Sequence, residues 1–446
     1  MEQRRKQEGH LKAPGNWIND PNGFIFYKGK YHLFYQYFPY APIWGTMHWG
    51  HAVSEDLVSW EHVGIALFPT KEGDQNGCFS GSAVEQDGRM VLFYTGVHYH
   101  AADPENIHLC PDDQFDSCQM RIASEDGMHF DNFGGKRVVI PPIGDRRCGD
   151  RTHTRDPKVW RGRNGWYMVL GSRSEDGKGK LLFYRSEDLE NWSYVNEAGK
   201  GDGWGWMWEC PDYFETDGGQ ALVFSPMRFL KDGKWEENQA ICMAVNFEEE
   251  NCRMQLPDTW QYLDYGLDLY APQSTVDEEG RRVLIAWLRM PRAVEQEEAV
   301  PWRGMFCLPR VVEMKEGHIY FRVHPHVKKR YCRPLSDVKE AGEEGYRIGL
   351  FLEEGGCVDV GGYRITRRGN RICTDRSHVF CREENYRTVF ETPFVKEGNR
   401  LDIYVDDHMV EVYVNDGEYV ISNAVYGMSR ELRISGGREV ELFGYR

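Results

Sequence analysis

The sequence predicts an all-β protein in which a repeated, propeller-like unit is followed by a β-sandwich. Three observations predict it. Up to about residue 330, short apolar and aromatic runs alternate with turn signals, with almost no helical periodicity. A Ser-Glu-Asp turn recurs three times, each copy closing on one aromatic ring. After a charged break, a second alternating pattern runs to the C-terminus.

The strands come first. Tyr31-His32-Leu33-Phe34-Tyr35-Gln36, Met90-Val91-Leu92-Phe93-Tyr94, Trp166-Tyr167-Met168-Val169-Leu170 and Val283-Leu284-Ile285-Ala286-Trp287 have strand length and strand composition. Lys28-Gly29-Lys30, Asp87-Gly88-Arg89 and Asn164-Gly165 lie between such runs and supply the positive φ of tight hairpins. The recurring turn reads Ser54-Glu55-Asp56 to Trp60, Ser124-Glu125-Asp126 to Phe130, and Ser186-Glu187-Asp188 to Trp192. Its copies are roughly 60–70 residues apart, longer than the common repeat families, and suggest propeller blades. Lys328-Lys329-Arg330 and the stretch Lys339 to Glu344 are charged and turn-like. They divide the chain into 1–330 and 331–446. Leu401-Asp402-Ile403-Tyr404-Val405 and Met409-Val410-Glu411-Val412-Tyr413-Val414, turning at Asn415-Asp416-Gly417, then read as an antiparallel meander, most simply a sandwich.

Composition excludes several partners. The formal net charge is −16 over 446 residues, which disfavours nucleic acid and anionic membranes through like-charge repulsion. No apolar run of about 18 residues is present, and Met1 to Lys12 is polar. The 12 cysteines are scattered singly, with no Cys-x-x-Cys pair and no His-Glu-x-x-His. The expectation is reduced thiols in a cytoplasmic protein, with no metal or cofactor and a homo-oligomer left open. Asn191-Trp192-Ser193 matches a glycosylation sequon by chance.

Three short motifs carry one carboxylate each: Trp17-Ile18-Asn19-Asp20-Pro21-Asn22-Gly23, Arg155-Asp156-Pro157, and Trp208-Glu209-Cys210-Pro211-Asp212. An acid set between Trp208 and Cys210 is expected to be partly buried, with desolvation raising its pKa as a general acid requires. A better solvated partner can stay ionised as a nucleophile. Two acids in unlike environments suggest acid-assisted displacement at a sugar carbon. Each has a plainer reading: Asp20 as a turn residue, Glu209 as a buried structural acid, and Asp156 as the ion-pair partner of adjacent Arg155.

Together these motifs resemble glycoside hydrolase family 32, the invertase and sucrose-6-phosphate hydrolase family. Supporting stretches are Phe34-Tyr35-Gln36, Trp44-Gly45, Met47 to His51, Phe79-Ser80-Gly81-Ser82, Tyr270-Ala271-Pro272-Gln273 and Leu308-Pro309-Arg310. The resemblance covers nearly the whole chain. It implies a five-bladed β-propeller with its site at the central funnel, followed by a β-sandwich. It implies retaining hydrolysis of terminal β-fructofuranosides such as sucrose or sucrose 6-phosphate, so the partner is a small-molecule sugar. In that reading Asp20 is the nucleophile, Glu209 the acid/base and Asp156 the transition-state stabiliser. Asn19, Gln36, Trp44, Phe79, Ser80 and Arg155 match fructose-pocket positions, and Trp44 and Trp287 offer rings to sugar. His48 and His51 are read as structural.

One departure stands out. Arg146, Arg147 and Arg151 crowd the approach to Arg155. They either create a positive field for a phosphate or form a solvated loop partnered by Asp145 and Asp150. Fructan exo-hydrolysis and fructosyl transfer share the same chemistry. An arabinose-processing propeller would share the acids without the sandwich, and an inactive carbohydrate-binding propeller would be expected to have lost an acid.

Overall fold

In the computed structural model, residues 6–231, 233–295, 299–381, 386–395 and 398–446 are described. Five antiparallel sheets follow one another along the chain. Their innermost strands are Asn16–Tyr27, Cys78–Gln86, Arg155–Gly162, Met207–Thr216 and Leu269–Val276. Each inner strand packs beside the next, and the fifth returns to the first, so the sheets form the blades of a five-bladed propeller. The blades are meanders because their turns are short. Lys28-Gly29 and Asp87-Gly88 both take positive φ, as a two-residue hairpin turn requires.

The recurring Ser-Glu-Asp segment occupies one position in blades I, II and III: the turn from third to fourth strand. Its construction is the same each time. The Asp56, Asp126 and Asp188 carboxylates accept two backbone N–H groups further along and the hydroxyl of the serine two residues before. Leu57, Gly127 and Leu189 then carry positive φ at equivalent positions. This is a side-chain-capped turn repeated three times.

Apolar clusters fill the spaces between blades. Trp49, Leu92 and Tyr94 pack between blades I and II, Phe93, Leu170 and Leu182 between II and III, and Phe183, Trp208 and Phe224 between III and IV. The ring closes through a parallel pairing of Trp302–Arg303 with Asn16 and Trp17.

After blade V, a short helix, Pro325–Arg330, leads into the C-terminal sheet. Two long strands, Tyr346–Val360 and Leu432–Tyr445, run through both of its layers and kink at a register shift between Leu352 and Cys357. Ile348, Leu350, Val358, Ile365, Ile403, Val412 and Ile421 fill the space between the layers, forming a β-sandwich. Asn415, Asp416 and Gly417 all carry positive φ at the turn anticipated there.

A fully buried ion cluster joins sandwich to propeller. Arg310 meets Glu411 at 2.7 Å and Asp264 at 3.0 Å, and Glu411 accepts from His10 at 2.9 Å. Lys12 pairs with Asp406 at 2.9 Å.

Candidate active site

Every inner strand is interrupted by a β-bulge near its start. Two residues there face one on the neighbouring strand: Asn19-Asp20, Phe79-Ser80, Asp156-Pro157, Cys210-Pro211 and Ala271-Pro272. A bulge leaves its extra residue out of the ladder, so proline there loses no hydrogen bond. In blades III to V the residue before proline is non-glycine at positive φ: Asp156 at 67°, Cys210 at 47° and Ala271 at 50°. Such backbone costs of order 1–3 kcal/mol per residue and persists where surrounding contacts hold it. The bulges turn side chains that would otherwise pack between blades toward the axis.

The result is a cavity of about 490 Å³ on the propeller axis. Asn19, Asp20, Gln36, Trp44, Phe79, Ser80, Arg155, Asp156, Glu209 and Trp287 all line it, bringing together every site residue expected from the sequence. Trp44 is 37 % exposed and sits at the mouth, edge-on to Phe79 at 6.1 Å. Trp287 meets Trp17 edge-on at 5.8 Å. Gln36 is buried and donates to the Cys78 carbonyl at 3.0 Å. His48 and His51 bond the Thr46 carbonyl and His32 respectively.

Asp20 accepts a 2.6 Å hydrogen bond from the Ser80 hydroxyl and a 3.1 Å bond from Asn19, which the Trp17 indole positions in turn. Burial raises the Asp20 pKa; the Ser80 bond opposes this and the charge of Glu209 adds to it. Asp156 is buried, accepts from the Cys210 amide at 2.9 Å, and is pushed up to about 7 by burial and by the charges of Glu209 and Asp20, against the pull of Arg155. The Cys210 sulfur lies 3.4 Å from Asp20 and 3.5 Å from Asp156. Burial pushes its thiol well up, so it stays protonated and donates.

Glu209 is partly buried, as expected, with its side chain 20 % exposed. Trp208 packs between blades III and IV and Cys210 sits against the other two acids. One expectation about the acids is corrected. Arg155 pairs with Glu209 through Nε at 3.2 Å and Nη2 at 2.8 Å, rather than with adjacent Asp156. Tyr270 donates to the other Glu209 oxygen at 2.5 Å. Asp212, the last acid of that motif, is buried, holding Lys158 at 3.0 Å and the Ser274 amide at 2.6 Å.

Arg146, Arg147 and Arg151 do not line the cavity. Arg147 is 84 % exposed and pairs with Asp145, while Arg151 pairs with Asp116. Asp150 pairs with Arg173. The solvated-loop reading fits for Asp145, whereas Asp116 rather than Asp150 partners Arg151.

Sequence reasoning missed Trp17, Met47, Tyr99, His153, Trp206, Met227, Asn238 and Tyr270 as lining residues. Tyr270 opens a Tyr-Ala-Pro triplet that parallels Arg-Asp-Pro and Glu-Cys-Pro, a signal that would have found it. Trp206 and Asn238 lie in loops without such a signature.

The arrangement is three carboxylates sharing one partly enclosed cavity, one paired to a guanidinium and a phenol, with aromatic walls. Comparisons with known proteins bear on its use. The model described as Glycosyl hydrolases family 32 N-terminal domain matches residues 10–325, and the corresponding C-terminal model matches residues 340–443. Raffinose invertase of Escherichia coli is 34 % identical over 96 % of this chain and 90 % of its own length. A sucrose-6-phosphate hydrolase of Escherichia coli is 33 % identical over the same shares. Among solved structures, the Bombyx mori GH32 beta-fructofuranosidase superposes with a TM-score of 0.82 at 28 % identity, covering 99 % of this chain and 94 % of that one.

Proposed function

Because this chain belongs to glycosyl hydrolase family 32, we propose that Asp20, Glu209 and Asp156 are the working carboxylates of a β-fructofuranosidase acting on sucrose or sucrose 6-phosphate. A mutant of the Bombyx mori enzyme has been solved in complex with sucrose, which fits a sugar of this class. One observation carries the reading: acids from blades I, III and IV face one cavity, each with hydrogen-bond donors set on it.

Asp20 attacks the anomeric carbon of the bound fructosyl unit. As the glycosidic C–O bond breaks, Glu209 gives its proton to the departing oxygen. In the second step Glu209 takes a proton from water, whose oxygen displaces Asp20 from the same carbon. Two inversions give net retention. Burial and the neighbouring carboxylates raise Asp156 to about 7, and burial raises Asp20. Departure of the leaving group requires a proton on Glu209. Asp156 and ionised Asp20 stabilise the positive charge that develops on the fructose ring in a site with little water to screen it.

Asp20→Ala and Glu209→Ala should each lower kcat by at least about a thousandfold with the fold retained by circular dichroism. NMR of the first fructose released should show the β anomer. Release of the α anomer, or folded variants with near-normal rates, would overturn these roles.

We also place the boundary between propeller and sandwich at residue 330, testable by limited proteolysis. Among the described residues the cysteines form no disulfide, and no helix is long and apolar enough to cross a membrane. Reduced thiols fit our assignment of the enzyme to the cytoplasm, which cell fractionation would test.

A further inference from the structure

We infer, taking the site assigned above as its basis, that the leaving-group side of the cavity receives an uncharged sugar, so that the enzyme prefers unphosphorylated fructosides. The leaving oxygen must lie beside Glu209, which supplies its proton. The wall there is built from Arg155, His153, Trp206, Phe115 and Asp113. His153 stands edge-on to Trp206 at 5.0 Å and to Phe115 at 5.8 Å, giving a surface of ring edges.

A phosphate on the leaving hexose calls for an arginine fork or a lysine with donors to spare. Among the described residues lining the cavity, Arg155 is the one lysine or arginine, and two of its nitrogens are committed to Glu209. His153 is held neutral: burial, with the nearby positive charges of Arg155 and Arg173, pushes it down to about 3. Asp113 adds a fourth carboxylate to the lining, its side chain 66 % exposed and 3.5 Å from His153 Nε2. Among the described lining residues, a phosphate dianion entering here meets negative charge and no cation other than the Glu209-bound Arg155.

Three arginines stand behind the aromatic walls, and each is occupied. Arg173 lies over the Trp206 ring at 5.5 Å and bonds Asp150 at 2.7 Å. Arg289 lies over Tyr270 and bonds backbone carbonyls of Asn238 and Leu267. Arg303 lies over Trp17 and bonds the Met290 carbonyl. The mouth instead carries the apolar Trp44 and Leu109, on two loops tied together by the 2.8 Å Thr46–His108 bond, which also expose Tyr40, Ile43 and Ile107.

The test is kcat/KM for sucrose and sucrose 6-phosphate, side by side, across ionic strength. We expect sucrose to be favoured by about tenfold or more at low salt, the size of an uncompensated like-charge contact. The gap should narrow from about 0.01 M to about 0.15 M salt, as the screening length falls from about 30 Å to about 8 Å. Asp113→Asn should raise the phosphate-to-sucrose ratio severalfold, and Arg173→Gln should leave that ratio unchanged. A phosphate ester used as well as sucrose, or one whose use falls with added salt or with Arg173→Gln, overturns the inference. Failure to cleave either sugar overturns the function proposed above, a result distinct from a reversed preference.

Discussion

Ser80 and Tyr270 hold the two ends of the proposed reacting pair, and each gives a separable prediction. The Ser80 hydroxyl stabilises ionised Asp20. Ser80→Ala should therefore move the acid limb of the kcat/KM–pH profile upward, because Asp20 must be ionised to attack. Tyr270→Phe removes one hydrogen bond to Glu209 and should cost about tenfold in kcat/KM, the equivalent of roughly 1.4 kcal/mol. Asp156 tests stability. Its folded pKa lies above the unfolded value, so its contribution is most favourable below about pH 4 and is lost as pH rises through about 7. Asp156→Asn should raise Tm by a few degrees at neutral pH, flatten that part of the stability–pH curve, and abolish most turnover; an unchanged Tm would mean the buried charge costs nothing. At this scale the acids were legible in the sequence because each sits in a short motif, whereas their surroundings were not. Strand alternation sends Trp208 into an inter-blade core, and Arg155 reaches across to the next blade. Chain neighbours are then a poor guide to electrostatic neighbours.

At the level of elements, the structure repeats two devices: the bulge on each inner strand and the capped turn on three blades. The turn was visible as a sequence echo because its chemistry needs a particular serine and aspartate. The bulge was not, because it tolerates Asn-Asp, Phe-Ser and three X-Pro pairs alike, and only pairing across strands reveals it. The capped turns are not equal in load. Asp188 serves its own turn, whereas Asp56 also holds Arg330, at the end of the helix after blade V, at 2.5 Å. Asp56→Ala should lower Tm more than Asp188→Ala, with the latter costing about 2–4 °C by thermal scan. Equal losses would assign the Arg330 contact no weight. The five-blade count came from resemblance rather than from this echo, since blades IV and V make the corresponding turn without Ser-Glu-Asp.

Across the whole molecule, the buried cluster of His10, Arg310, Asp406 and Glu411 ties stability to pH. Burial alone would discharge His10, but Asp406 and Glu411 outweigh it and raise its pKa to about 9. Its stabilisation is complete below about pH 6.5 and is lost as pH rises through about 9. Glu411 is lowered to about 2, burial being overcome by Arg310 and His10, so its contribution holds above about pH 4.5 and is lost on acidification toward 2. Resistance to heat should therefore decline from about pH 6.5 to 9, and His10→Gln should be less stable and lack that slope. The hydrophobic patterning of both units was legible, but nothing local in the sequence announces His10 or Glu411, whose meeting spans the length of the chain. The seam that closes the propeller has a similar reach, and it bears on synthesis. Asp20 leaves the ribosome well before Pro301, Trp302 and Gly304, which back the strand carrying it through the Asn16 and Ala13 amides and the parallel pair. A nascent chain thus carries its proposed nucleophile long before it owns the segment that fixes it, and on that reading stays idle toward sugar until the closing strand has been made.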